Sequence, residues 1–550
     1  MAFRTLLAAV LLAAATVLGT AAVANADFGS DYHDPLTAEK PLSRPDTRSC
    51  AVEVMHDKEF KQGFGNPPDT PFVGSVSAPS ACAGPWSKVV LDVKGRVKGR
   101  QFDRLFNVYV GGYQVFMSST PEPSADGIEW TVERDVTRYA PIFTGTQPFV
   151  FDLANVTDST FTGIYTVSAS FTFYTTSNRF PAARTADTIL TVSNGRTDAA
   201  PGFFLEKETR SAGRDLVFPR NLTALTAEVY TKNSGPCEEF AYASVPDEFK
   251  NAHPDSGFCG KGPFRELRLS IDGRLAGTVW PYPVIFTGGW DPLLWRPIPA
   301  IFAFDLPAYQ LDLTPYVGLL VDGRPHRIDI GLNTFETNPN DGWLVQANLF
   351  GTVDRHSSQT RGGLLVDRVA PDAFVQSIVD DKGGGNGHFR VTATRHDRAL
   401  GWVFSSRGLV LTEVRADLSF DSSQDYLDGF NDDVLANTGD LRRSTRTIGG
   451  GRPVTHTVRE LEPIRAHLRF AELGGGATDQ VTTMNLGYHR QDDGSALDHT
   501  IAAQAHRHDG DATVRAGSST EDFRSFTPSD CFRRELRTVD GWITSDSAGC

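Results

Sequence analysis

Apolar and polar residues alternate one by one along much of this chain, instead of recurring at the three-to-four-residue spacing of a helix face. Lys88-Val89-Val90-Leu91-Asp92-Val93, Glu266-Leu267-Arg268-Leu269-Ser270-Ile271 and the stretch from Thr162 to Tyr174 carry this two-residue period. Such runs turn one face of a strand to a core and the other to water, and clusters of Gly, Pro, Asn and Asp bound them here. In Ile271-Asp272-Gly273-Arg274 the Asp-Gly pair supplies the positive-φ positions of a tight turn. Helical periodicity is scarce. The pattern predicts an all-β protein of antiparallel sandwiches.

The spacing of these runs divides the chain. After an N-terminal extension at 27–49, a first β-sandwich is expected over 50–200. A second is expected over 205–355, with Trp280, Trp290, Trp295 and Trp343 in it. A more polar C-terminal β-rich accessory region occupies 370–550, with glycine runs at 383–385, 449–451 and 474–476. These glycines lack the Lys-Ser/Thr and the following helix of a phosphate loop, so they read as turns. Asn333 to Asp341 reads as a further loop.

Residues 1–26 have the form of an export signal: Arg4, a short apolar run from Leu6 to Leu18, then the small-x-small pattern Ala24-Asn25-Ala26 ahead of Asp27. No later segment approaches the roughly 20 apolar residues of a membrane span, so a secreted protein without a membrane partner is expected. Six cysteines, at 50, 82, 237, 259, 531 and 550, read as disulfides behind such a signal. Their connectivity is open in principle, but each local pair brackets one loop, which favours Cys50–Cys82, Cys237–Cys259 and Cys531–Cys550. There is no CxxC pair and no nearby Cys/His quartet for zinc. A net charge of −14 argues against nucleic acid, whose phosphates require a basic stripe. No metal or cofactor is implied, and a monomer is expected.

Chemistry then rests on carboxylates, because nucleophile-elbow, zinc-helix and dinucleotide motifs are missing and every cysteine is expected to be bonded. Two acidic sites stand out. In Phe102-Asp103-Arg104-Leu105-Phe106-Asn107-Val108-Tyr109-Val110 a carboxylate and a guanidinium open a strand. There the acid can take a proton from a held water while the arginine keeps it ionised and binds substrate; an ordinary strand-edge ion pair is the alternative. In Cys237-Glu238-Glu239-Phe240 a disulfide would stiffen the loop that presents Glu239, against the alternative of two solvated acids. Asp247 and Glu248 are weaker candidates. The loop from Trp280 through Trp290 to Trp295 carries indoles suited to stacking on sugar rings, or to filling a core between sheets.

This same loop carries a resemblance. Gly262-Pro263-Phe264-Arg265-Glu266 to Asp272, Trp280-Pro281-Tyr282-Pro283-Val284 to Ile298, and Phe304-Asp305-Leu306-Pro307-Ala308-Tyr309 closely resemble the peptide N-glycosidase A family. So do Leu311 to Tyr316, Leu320 to Gly323 and Ala347-Asn348-Leu349, and the likeness covers most of the chain. The resemblance implies hydrolysis of the amide between Asn and the first N-acetylglucosamine, leaving Asp and a glycosylamine. Through the related F-type enzymes it also implies tandem jelly-roll sandwiches with the active site between them. On their pattern, Phe102 to Val110 and Cys237 to Phe240 make Asp103 and Glu239 the expected catalytic acids. Arg104 is then the substrate-binding arginine, with Trp280, Trp290 and Trp295 as stacking candidates. A further F-type acid falls on Ala154-Asn155, so that carboxylate is missing or replaced and Asn155 stands as a substrate-binding candidate or a turn cap. An endoglycosidase, which also uses two carboxylates, and a lectin-like binding protein are the competing readings. N-glycosylated peptides or glycoproteins are the expected partners. His489, His499, His506 and His508 lack fixed ligand spacing and read as parts of exposed polar strands.

Overall fold

The computed structural model describes residues 31–61, 71–335, 341–449, 451–510 and 512–550; the export-signal segment and much of the Asn333–Asp341 loop lie outside them. Among these residues the alternating runs form strands. One sheet takes β1 (Ser49–Phe60), β8 (Tyr165–Thr175), β3 (Trp86–Val97) and β6 (Ile128–Asp135) in that order. It faces β2 (Phe72–Val76), β7 (Gln147–Leu153), β4 (Leu105–Val110) and β5 (Tyr113–Ser119). This interleaving of an eight-strand chain into two four-stranded sheets is a jelly roll. Its core is aromatic: Phe106, Phe149 and Phe151 from one sheet meet Phe171 and Phe173, with Val89, Leu91 and Val93, from the other.

The second unit repeats the plan. Its strands β10 (Phe203–Leu205), β17 (Gly342–Val353), β12 (Leu222–Ser234) and β15 (Ala308–Asp312) face β11 (Ser211–Val217), β16 (Pro325–Leu332), β13 (Leu267–Ile271) and β14 (Arg274–Val279). An extra strand, β9 (Thr188–Val192), pairs with β17. It lies in the stretch expected to close the first sandwich, yet its hydrogen bonds belong to the second, because the chain crosses over before residue 188. Asp272 and Gly273, at φ 50° and 77°, make the turn from β13 to β14. The two jelly rolls meet through buried polar contacts: Asn348 donates to the Gln114 carbonyl at 2.7 Å, and Gln346 to the Gly112 carbonyl at 2.9 Å.

From Arg361–Arg368 to Trp542–Gly549 the chain forms one antiparallel sheet of eleven strands. Its inner face packs on two long loops of the second jelly roll. Leu435, Ile464, Met484, Ile501 and Phe523 cover the loop from Tyr282 to Leu306, and Phe389, Val391 and Tyr426 cover Phe249, Phe258 and Trp280. Arg395 seals this seam by donating to both carboxylate oxygens of Glu266, at 2.8 and 2.9 Å. The outer face carries cross-strand ion pairs, among them His396–Asp417, Arg459–Asp440 and His489–Asp498. His506 and His508 share Asp479, and only His499 departs from the expected exposure: it is buried, 2.7 Å from Glu521. The segment ahead of β1 straps the far ends together. The His33 amide donates to the Gly541 carbonyl at 2.9 Å, the Ala38 amide to Glu521 at 2.7 Å, and Arg44 pairs with Asp92 and Glu133. Disulfides join Cys50–Cys82, Cys237–Cys259 and Cys531–Cys550.

Candidate active site

Asp103 lies in the link from β3 to β4, at the end of the first jelly roll, where the chain leaves strand geometry after Val97. Glu239 comes from the second, on the long β12–β13 loop. It stands at the N-terminus of a short helix, Phe240–Ala243, two residues past the half-cystine Cys237. Neither acid approaches the other along the chain. They are brought together by a strap, Phe286-Thr287-Gly288-Gly289-Trp290, from the β14–β15 loop.

The strap bonds to both. Asp103 Oδ2 accepts from the Gly288 amide at 3.1 Å and the Thr287 hydroxyl at 3.4 Å. Glu239 Oε1 accepts from the Phe286 amide at 3.1 Å. Glycine is required at both central positions. A Cβ on Gly288 would stand 2.7 Å from Glu122 Oε1 and 3.4 Å from Asp103 Oδ1, and one on Gly289 would stand 2.7 Å from Glu239 Oε1. Behind the strap the Trp295 indole donates to the Gly289 carbonyl at 2.8 Å, and the Tyr242 hydroxyl accepts from the Trp290 amide at 3.0 Å.

Enclosure sets the electrostatics. Burial above all, and the nearby Glu238 charge next, push Asp103 up to about 6 against the Gly288 amide, Arg104 and Lys232. Burial likewise raises Glu239 to about 8, with Lys232 opposing and Glu238 assisting. Lys232 is itself buried, 3.7 Å over the Phe286 ring and 3.6 Å from Glu238. Both carboxyls are thus pushed upward, Glu239 further than Asp103. Two carboxyls pushed apart in this way divide the roles of base and acid.

The remaining expected residues fall on either side of the reacting centre. Arg104 is partly exposed; it donates to Gln101 Oε1 at 2.6 Å and to Asn155 Oδ1 at 3.4 Å. Asn155 is 1 % exposed, and its amide donates to the carbonyls of Phe60 and Gly163, so it orients Arg104 from beneath instead of meeting substrate. Stacking on sugar is likewise not open to Trp280 and Trp295. Trp280 is 4 % exposed and donates to Glu266, and Trp295 is 3 % exposed beneath the strap, because the C-terminal sheet covers both. Trp290 alone of the three is partly exposed, edge-on to Tyr242 with centroids 4.7 Å apart. Asp247 is occupied by Lys261. A trough of about 930 Å³ on the outer face of the C-terminal sheet, lined by Asp417, Asp440, Arg442 and Arg459, is separate from these acids. Sequence reasoning missed Glu122 and the two strap glycines. Thr287-Gly288-Gly289 was visible as a Gly-rich break, but nothing local marked it as the bridge between two acids.

Residues 37–369 match a family model described as peptide N-acetyl-beta-D-glucosaminyl asparaginase amidase A. The peptide-N4-(N-acetyl-beta-glucosaminyl)asparagine amidase A of Prunus dulcis is 31 % identical over 542 residues, covering 93 % of this chain and 91 % of that protein. Among solved structures, a peptide-N(4)-(N-acetyl-beta-D-glucosaminyl) asparagine amidase is 13 % identical with a TM-score of 0.37, over 57 % of this chain and 98 % of that one. PNGase F, a glycosylasparaginase from Flavobacterium meningosepticum, is 13 % identical with a TM-score of 0.36, over 56 % and 96 %.

Proposed function

This chain belongs to the peptide N-acetyl-beta-D-glucosaminyl asparaginase amidase A family, and we infer that it hydrolyses the amide joining an asparagine side chain to the first N-acetylglucosamine of an N-glycan. The products are a glycosylamine and a peptide with Asp in place of Asn. One structural observation carries the assignment of the chemistry: two acids from separate jelly rolls meet on one Gly-Gly strap, and burial raises Glu239 further than Asp103.

An amide carbonyl is a weak electrophile and an amine a poor leaving group, so both ends of the bond need help. Ionised Asp103 takes a proton from water as its oxygen attacks the side-chain carbonyl carbon. Neutral Glu239 donates to the glycosidic nitrogen as the carbon–nitrogen bond breaks, and the proton held by Asp103 restores the cycle. Arg104, held by Gln101 and Asn155, offers its remaining N–H groups to substrate oxygens, and Trp290 offers a ring edge beside them. N-glycosylated peptides and glycoproteins are the proposed substrates. Secretion is proposed from the three disulfides together with the signal-like first 26 residues.

The test is to incubate the protein with an N-glycosylated peptide in ¹⁸O-water and weigh the peptide product. Asp carrying one ¹⁸O establishes the amidase. Asn still bearing one N-acetylglucosamine would make it an endoglycosidase, and an untouched glycopeptide a binding protein. Because turnover needs Asp103 ionised and Glu239 protonated, kcat/KM should rise as pH passes about 6 and fall as it passes about 8.

A further inference from the structure

A third acid adjoins this site, and the reaction just described does not use it. Glu122 follows β5 in Thr120-Pro121-Glu122-Pro123; it is 2 % exposed, and among the described residues only the Arg296 guanidinium, at a long 3.5 Å, approaches its carboxylate oxygens as a donor. Its ion-pair partner is Arg296, 3.5 Å from Oε2 and 8 % exposed. Burying a carboxyl with so little compensation is unfavourable for folding, so its presence calls for another reason.

The surroundings supply one. The Tyr165 hydroxyl donates to the carbonyls of both Phe102 and Pro121, at 2.6 and 3.1 Å, tying the Asp103 segment to the Glu122 segment. The Tyr32 hydroxyl donates to the Glu122 carbonyl from outside, and prolines on both sides limit the backbone. The side chain then presses on the strap, since Glu122 Oε1 and Asp103 Oδ1 both lie within 3.4 Å of the point a Gly288 Cβ would occupy. The cavity at Glu122, bordered by Tyr32, Thr287, Trp295 and Arg296, is about 10 Å³. That is room for roughly one water and far too small for a sugar, so Glu122 acts through the strap and not on substrate.

We propose that Glu122 is a positioning residue of this reaction: as a neutral carboxyl wedged between Arg296 and Gly288, it keeps the strap's donors on Asp103, and loss of its proton breaks that arrangement. An ionised Glu122 competes with Asp103 for the Thr287 hydroxyl and the Gly288 amide, and adds negative potential where the oxyanion grows. The charged and titratable groups facing it are Asp103, Arg296, Arg507, Tyr32 and Tyr165. Burial first, then the Asp103 charge, raise Glu122 to about 8, with Arg296 and Arg507 opposing.

This inference rests on the assignment of Asp103 and Glu239, and the experiment separates the two. Log kcat/KM of the full-length protein is followed against pH with an N-glycosylated peptide, for the wild type, Asp103→Asn and Glu122→Gln. Two groups losing protons together should make the wild-type alkaline limb fall with the square of hydroxide concentration. In Glu122→Gln it should fall with the first power, the acid limb keeping its place. Should that variant not fold, Arg296→Gln serves instead: without the counter-charge, one of the two proton losses moves up by about one pH unit. A first-power limb in the wild type, or coincident wild-type and Glu122→Gln profiles with Asp103→Asn inactive, overturns the role of Glu122 alone. Turnover in Asp103→Asn within about tenfold of the wild type, short of the loss expected on removing a general base, overturns the reaction scheme and this inference with it.

Discussion

A Cβ added to Gly289 would press on Oε1 of Glu239 at 2.7 Å and on the Ile285 side chain at 3.0 Å, with the Phe286 carbonyl at 3.2 Å. None of these can retreat far in a packed site. Gly289→Ala should therefore displace the acid and lower kcat by about 10²-fold, the loss expected from roughly an ångström of misplacement; steady-state kinetics beside a circular dichroism melt will separate this from unfolding. Asp103→Asn keeps shape and removes the base, so kcat should fall by about 10²- to 10⁴-fold. Its melting temperature should hold or rise, since an amide is less costly to bury than a carboxylate. Asp103 and Glu239 could be named from sequence as candidates through the family resemblance, which an aromatic-Asp-Arg strand entry and a Cys-Glu-Glu-aromatic loop carry. Glu122 could not. Thr-Pro-Glu-Pro reads as a solvated turn, and its burial comes from Tyr32, ninety positions earlier, and from Arg296.

Between residues and molecule, the loops decide more than the strands. The period-two runs gave away β3, β8 and β13, because a sandwich strand must alternate to bury one face. The Trp280–Trp295 loop left two destinations open for its indoles, sugar or core, and the choice depends on a sheet formed by residues a hundred or more positions later. Glu239 likewise depends on its loop. The Cys237–Cys259 bridge closes a separation of 22 residues around it. Replacing both cysteines by serine should lower unfolding stability by about 2–4 kcal/mol. It should also reduce kcat more than KM, as read by denaturant titration and by kinetics on the same preparation.

At the scale of the whole molecule, a set of enclosed acids is held above the ordinary carboxylate range. Burial raises Glu39 and Asp433 to about 7, beside Asp103 at about 6 and Glu122 and Glu239 at about 8. Each folded-state value lies above the unfolded one, so the folded state holds these protons more tightly. Stability from these groups is present in full below about pH 4 and is lost as pH climbs through 6 to 8. The aspartates lowered by arginine and histidine partners at the surface act oppositely, but only as pH falls below their ordinary range. The melting temperature should thus be higher at pH 5 than at pH 8.5, and calorimetry across that interval will show it.

The strap from Tyr32 to Arg44 has a consequence for how the molecule is made. This segment is synthesised before both jelly rolls, and its partners Glu521, Asp530 and Gly541 after them. The jelly rolls can close while synthesis continues, but Tyr32 cannot be seated over Glu122 until the final strands exist. The candidate site, although built from residues between these two segments, is enclosed only when they meet.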